Sequence, residues 1–159
     1  FDNLETGHLT ENEFYQYMTG AAAGTVSSQQ VQDAWNAMLL DFRTESLKHL
    51  QLLRKKQKIF LLSNTNSIHK KAFDQLFLQQ TGVPSLDDYF DKAYYSQKVG
   101  LRKPNADIFE FVLKDAEITA GESFYIDDLP PNIETARKLG FKTHLLLPGE
   151  KIEHLRYDW

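Results

Sequence analysis

Three places in this chain follow a short apolar run with polar groups able to act on a phosphate. Ser63 and Asn64 come after Ile59-Phe60-Leu61-Leu62. Lys103 closes the loop that begins at Ser96, after Ala93-Tyr94-Tyr95. Asp127 and Asp128 come after Phe124-Tyr125-Ile126. A serine hydroxyl beside backbone N–H groups suits phosphate oxygens. A lysine ammonium is a compact charge able to neutralise a phosphoryl group or an attacking carboxylate. Two adjacent carboxylates repel each other unless a cation lies near, and Mg²⁺, which takes oxygen ligands and keeps several waters, fits. Together the groups describe Mg²⁺-dependent phosphoryl transfer, where catalysis is mostly positioning and charge stabilisation. Taken singly, each is ordinary. An Asp-Asp pair is usually turn or cap chemistry, and Asp87-Asp88 after Ser85-Leu86 reads that way. Only the ordered combination is specific.

The elements that must position these groups can be read from spacing. Strands are expected at 59–62, 93–95, 124–126 and 143–147, with helices between them. Such alternation implies parallel βαβ units with right-handed crossovers. In open α/β sheets ligands bind beyond the carboxyl ends of the strands, so the three clusters should converge on one crevice. The intervening helices carry Ala72, Phe73, Leu76 and Phe77, and then Ile108, Phe109, Val112 and Leu113. Pro104 and Pro131 are expected in first turns and Gly140 at a helix end. The first part of the chain reads as helix. Thr10-Glu11-Asn12-Glu13 is a capping box ahead of Phe14, Tyr17 and Met18, and Gly20 to Gly24 should break that helix. Ser27 or Ser28 can cap a second helix with Val31, Ala34, Trp35, Met38 and Leu39 on its apolar stripe. Leu47, Leu50, Leu52 and Leu53 mark a third, ending in the basic Arg54-Lys55-Lys56. Phe60, Phe109 and Phe124 are expected in the core.

Composition agrees with an ordinary globular chain. Of 159 residues, 42% are hydrophobic and 25% charged. The net charge of −4 disfavours nucleic acid as a general partner. There is no cysteine, which excludes disulfides, thiolate zinc sites and cysteine nucleophiles. No window approaches the ~18 apolar residues of a membrane span. No signal peptide or lipidation motif is visible, and a cytoplasmic location is expected.

The chain resembles the haloacid dehalogenase superfamily of hydrolases. Leu61-Leu62-Ser63-Asn64 matches that family's second motif and Arg102-Lys103-Pro104 its third. Phe124-Tyr125-Ile126-Asp127-Asp128, continuing through Pro131-Asn132 to Ala136 and Gly140, matches its fourth. Within the family it is most similar to a branch of sugar-phosphate phosphatases and epoxide-hydrolase phosphatase domains. The resemblance implies an α/β fold, a Rossmann-like parallel sheet with flanking helices, and a small helical cap. The cap would occupy 1–43 and the core 44–159. Ser63 would hydrogen-bond the phosphoryl oxygen, with Asn64 shaping the phosphate pocket. Lys103 would hold the nucleophile and phosphoryl charge, and Asp127 and Asp128 would bind Mg²⁺ directly or through water. The substrate would be a small phosphorylated metabolite. The Asp-Asp form of the fourth motif favours a phosphatase over a 2-haloacid dehalogenase, which works without magnesium.

One departure from the family pattern is large. The family's nucleophile is an aspartate in an Asp-x-Asp motif after a first core strand, and that motif is absent. Asp41 in Leu39-Leu40-Asp41-Phe42-Arg43 is a poor imitation, lacking the second aspartate. The first core strand is therefore expected to lie in a missing N-terminal segment, and the 159 residues alone are expected to be inactive. A non-catalytic or truncated binding protein is the alternative reading. A receiver-like phosphate module is disfavoured because receivers place the acidic pair first and the lysine late. His8, His49, His69, His144 and His154 show no metal-ligand spacing. Trp35 reads either as cap packing or as a substrate-facing lid residue, and Glu5-Thr6-Gly7-His8 as a turn that could approach the pocket.

Overall fold

A computed structural model describes residues 1–156, so the last three positions of the expected core lie outside the described residues. The helical beginning comprises α1 (Asp2–Glu5), α2 (Glu11–Ala21) and α3 (Ser28–Asn36). Both longer helices start in reciprocal caps. Thr10 and Glu13 exchange bonds at α2, and Ser27 and Gln30 do the same at α3, so Ser27 rather than Ser28 is the cap. Leu4, Phe14 and Val31 close into one apolar cluster, with Trp35 packed against it. Its fourth buried member, Ile68, comes from the α/β part, so the helical layer is sealed onto its neighbour.

The stretch from Gly20 to Gly24 ends α2 as expected, since the helix takes in Gly20 and runs only to Ala21. Nothing lies within 4 Å of where a Cβ on Gly20 would be. A solvent-facing helical glycine costs only about 1 kcal/mol, and capping with burial of Phe14 offsets that. One expectation about this layer is corrected: helix α3 ends at Asn36, so Met38 leaves the stripe and is 58% exposed.

The α/β part runs α4 (Thr44–Arg54), β1 (Phe60–Ser63), α5 (Ser67–Thr81), β2 (Lys92–Tyr95), α6 (Ser96–Val99), α7 (Ala106–Asp115), β3 (Phe124–Asp127), α8 (Pro130–Lys138) and β4 (Lys142–Leu145). Strand β1 pairs in parallel with β2, from Phe60 opposite Lys92 to Ser63 opposite Tyr95. Strand β3 pairs in parallel with β4, from Phe124 opposite Lys142 to Asp127 opposite Leu145. The result is two separate two-stranded sheets, each one βαβ unit. The fourth strand stops short of its expected end at 147. Pro104 does not open a helix. The Lys103-Pro104 peptide is cis, and α7 begins at Ala106. Asn64 reaches across to Lys103 and holds that loop in a turn instead.

Between the two sheets lies an apolar slot of about 550 Å³. Phe60, Leu61 and Leu62 of β1 line one wall, and Phe124, Tyr125 and Ile126 of β3 the other. The strand edges that lack a neighbour therefore face each other. This corrects the placing of Phe60 and Phe124. Phe109 is fully buried, but those two are only partly covered because they look into the slot. Parallel strands are normally covered on both faces and paired on both edges. Every residue of β1 and of β3 is only half-buried.

Candidate active site

The crevice is assembled from the loops after β1, β2 and β3. Asn64 clamps the first loop to the second: its Nδ2 donates to the Lys103 carbonyl at 2.8 Å, and the Lys103 N–H donates to its Oδ1 at 2.9 Å. Ser96, fully buried at the end of β2, closes the same seam. Its Oγ accepts from the Thr65 N–H and donates to the Thr65 carbonyl, both at 2.9 Å. Ser63 precedes this clamp, at the carboxyl end of β1.

Lys103 then crosses to the third loop. Its Nζ donates to Asp127 Oδ2 at 2.7 Å, with both side chains at least nine-tenths buried. The Tyr125 hydroxyl donates to the same oxygen at 2.6 Å. The other oxygen, Oδ1, accepts from the Leu129 N–H and from Asn132 Nδ2, each at 2.9 Å. Burial opposes ionisation of Asp127, but the lysine, the tyrosine and the Leu129 amide outweigh it. The carboxyl is held below the usual carboxylate range. Burial, reinforced by the bond to Asp127, pushes the Tyr125 phenol far up, so it stays a proton donor. Asp128 is exposed, and no described residue hydrogen-bonds its carboxylate. The two acids therefore differ sharply: Asp127 is saturated with donors and Asp128 is exposed to solvent.

The structure thus joins Lys103 to Asp127 directly and Asn64 to Lys103, with Ser63 beside Asn64 and Asp128 beside Asp127. Asp41 lies exposed in the approach to α4 and meets none of them. Tyr125 and Asn132 were missed as partners of Asp127. A signal existed for Tyr125, since residues two apart on a strand share a face. Asn132 lies in the first turn of α8, where a side chain can reach back to the preceding strand end. Among the described residues, no three His, Asp or Glu side chains gather to form a metal site.

The helical layer touches elements that flank the crevice. Arg102, next to Lys103, binds Glu5 at 2.8 Å and Asp2 at 3.2 Å. Lys71 binds Glu11 at 2.7 Å. His69, stacked on Trp35 at 5.3 Å between ring centres, meets the Trp35 carbonyl at 2.9 Å. Gly7 sits so tightly on α6 that a Cβ there would lie 2.6 Å from the Gln97 carbonyl oxygen. The turn at Glu5-Thr6-Gly7-His8 thus rests beside the site.

The profile of one family, described as haloacid dehalogenase-like hydrolase, matches residues 1–146. A D-ribitol-5-phosphate phosphatase from Bacteroides thetaiotaomicron is 32% identical over 143 residues, covering 90% of this chain and 69% of the relative. A haloacid dehalogenase family enzyme of the same organism, solved in complex with magnesium and inorganic phosphate, superposes with a TM-score of 0.84. Its identity is 36%, covering 96% of this chain and 76% of the other. A family hydrolase from Porphyromonas gingivalis gives a TM-score of 0.80 at 35% identity, over 93% of this chain and 72% of its own.

Proposed function

The chain belongs to the haloacid dehalogenase-like hydrolase family, and from that premise we propose that the protein is a Mg²⁺-dependent phosphatase of a small sugar or polyol phosphate. The observation that carries this reading is the buried Lys103–Asp127 ion pair, set on one rim with Ser63, Asn64 and the open Asp128. Such a rim suits a dianionic phosphoryl group better than a neutral carbon centre. Similarity to a ribitol-phosphate phosphatase and to a magnesium–phosphate complex supports the substrate class and the metal.

Ser63 is assigned to a phosphoryl oxygen and Asn64 to the shape of the pocket. Lys103 neutralises the phosphoryl and nucleophile charge. Asp128 is assigned as the direct Mg²⁺ ligand and Asp127 as the group that positions lysine and metal-bound water. The residues present fit one side of a magnesium site: a free hard-oxygen ligand, backed by a donor-saturated neighbour. The metal, when bound, supplies charge neutralisation between phosphoryl oxygens and an incoming carboxylate.

The nucleophile is proposed to arrive on a further parallel strand seated in the slot between β1 and β3. The unpaired edges there could accept a strand on both sides, and its carboxyl end would emerge level with Ser63 and Asp127. Its carboxylate would attack phosphorus, the bond from phosphorus to the substrate oxygen would break, and water would then cleave the acyl phosphate. Without that strand the described residues are assigned as binding phosphate only. Residues 1–43 are proposed to act as the cap and those from 44 onward as the core.

The test is phosphate release by the full-length protein from a panel of sugar and polyol phosphates. Release is expected with Mg²⁺ and not with EDTA, and Ser63→Ala and Asp128→Asn should each lose about 100-fold or more. EDTA-insensitive turnover of a halogenated acid would favour the dehalogenase reading. Phosphate binding with no turnover would favour the non-catalytic one.

A further inference from the structure

Tyr125 carries a hydroxyl at a position where a phenylalanine would pack equally well. Its ring meets Phe109 edge-on at 5.3 Å between ring centres and Phe141 at 6.1 Å. A phenol among such neighbours loses hydration, a cost that is offset only when its O–H finds an acceptor. The acceptor is Asp127 Oδ2, at 2.6 Å. Packing by the two phenylalanines fixes where the hydroxyl lies, and residues 125 and 127 share a face of β3. The oxygen it meets is also the one that holds Lys103 Nζ, at 2.7 Å. That ammonium stands 5.8 Å from the centre of the Tyr125 ring. Tyrosine, lysine and aspartate therefore form a closed triangle, each touching the other two.

In a phosphatase Lys103 has two anions to serve, the Asp127 carboxylate and the phosphoryl group. Its main chain cannot follow the phosphoryl group, because Asn64 holds both its N–H and its carbonyl. An ammonium carries three N–H donors. Among the described residues only the bond to Asp127 engages them, so the side chain serves its second anion by turning. Turning weakens the bond at Oδ2. The donors on Oδ1, the Leu129 N–H and Asn132 Nδ2, are already committed there. A buried carboxylate oxygen left without a donor is costly, and the Tyr125 hydroxyl removes that cost because it stays on Oδ2 wherever the ammonium points. We propose that Tyr125 is a positioning residue that lets Lys103 turn from Asp127 to the phosphoryl group while Asp127 stays hydrogen-bonded. This inference rests on the phosphatase reading and adds to it the residue that governs its lysine.

The test is a double-mutant cycle read by calorimetry, with inorganic phosphate titrated into the full-length protein in Mg²⁺. Tyr125→Phe keeps the ring and its packing and removes the O–H. In the wild-type background it should weaken phosphate binding about tenfold, the worth of one hydrogen bond to a charged group. In Lys103→Met no ammonium remains to be released, so the same substitution should change the affinity less than about twofold. Asp127→Asn removes the charge that retains the lysine, and the effect of Tyr125→Phe should vanish there too. That background carries the test if Lys103→Met fails to fold or binds no measurable phosphate. An equal loss in every background would show that Tyr125 acts apart from Lys103 and would overturn the inference. An affinity within about twofold of wild type in Tyr125→Phe alone would do the same. Both results leave the phosphatase reading intact. A wild-type protein that binds no phosphate would overturn the two together.

Discussion

At the Asp127 carboxylate, burial and hydrogen bonding act in opposite directions. Burial favours the protonated acid, yet Lys103, Tyr125 and the Leu129 amide hold it ionised and below its ordinary range. A group whose folded pKa is depressed contributes stability that is complete above its unfolded value of about 3.9. That contribution is lost as pH falls through the lower folded value. Wild-type stability should therefore rise with pH below the unfolded value and level off above it. Lys103→Met removes the leading partner, so the folded pKa moves up and that rise shrinks. Denaturant midpoints across this range would show it. At pH 7 the same variant leaves a buried carboxylate without its cation, a loss on the order of 3 kcal/mol. An unchanged pH slope in Lys103→Met would show that the lysine does not set the charge state. Nothing about Lys103 alone in the sequence announces this. The residue stands before a proline, where a lysine is normally solvated, and only the parallel strands bring it to Asp127.

At the scale of elements, caps and breakers behave as their neighbours in sequence dictate. The reciprocal caps at Thr10 and Ser27 form because each partner lies three residues away, within one helical turn. Gly82 and Gly140 end their segments with positive φ for the same local reason. Pro104 is different, because Asn64, a side chain 39 positions before Lys103, decides how its loop turns. Gly7 combines both kinds of constraint. Its φ of +74° favours glycine, and the Gln97 carbonyl leaves no space for a side chain. Gly7→Ala should therefore loosen the cap from α6. The expected loss is at least about 1–2 kcal/mol from the left-handed conformation alone, read from urea unfolding. If residues 1–43 act as the proposed cap, turnover should fall as well. Wild-type stability and turnover in that variant would remove the cap contact from the account.

At the scale of the whole molecule, the open slot between β1 and β3 is the unusual feature. Apolar walls of that size, lined by Phe60, Leu62, Phe124 and Tyr125, are costly to leave in water. The 159-residue chain should therefore bind an apolar dye such as ANS, and its β1 and β3 amides should exchange quickly. A protein containing the proposed strand should show neither property. Equal dye binding in both would mean that the slot stays open and that the nucleophile enters elsewhere. The sequence by itself determined what depends on residues a few positions apart: which segments are helix or strand, where helices are capped, and that polar groups stand at three strand ends. It also carried the family resemblance, because those motifs are short and contiguous. Only the tertiary structure decided how Asp127 and Asp128 divide between a saturated and an open carboxylate. It alone brought Arg102 to Glu5 across 97 positions and Trp35 to His69 across 34. It also split the strands into two pairs and left Phe60 and Phe124 facing a gap. The reason is physical: local propensity is set by the turn or strand a residue occupies, whereas pairing, burial and charge state are set by whatever the chain's path brings alongside.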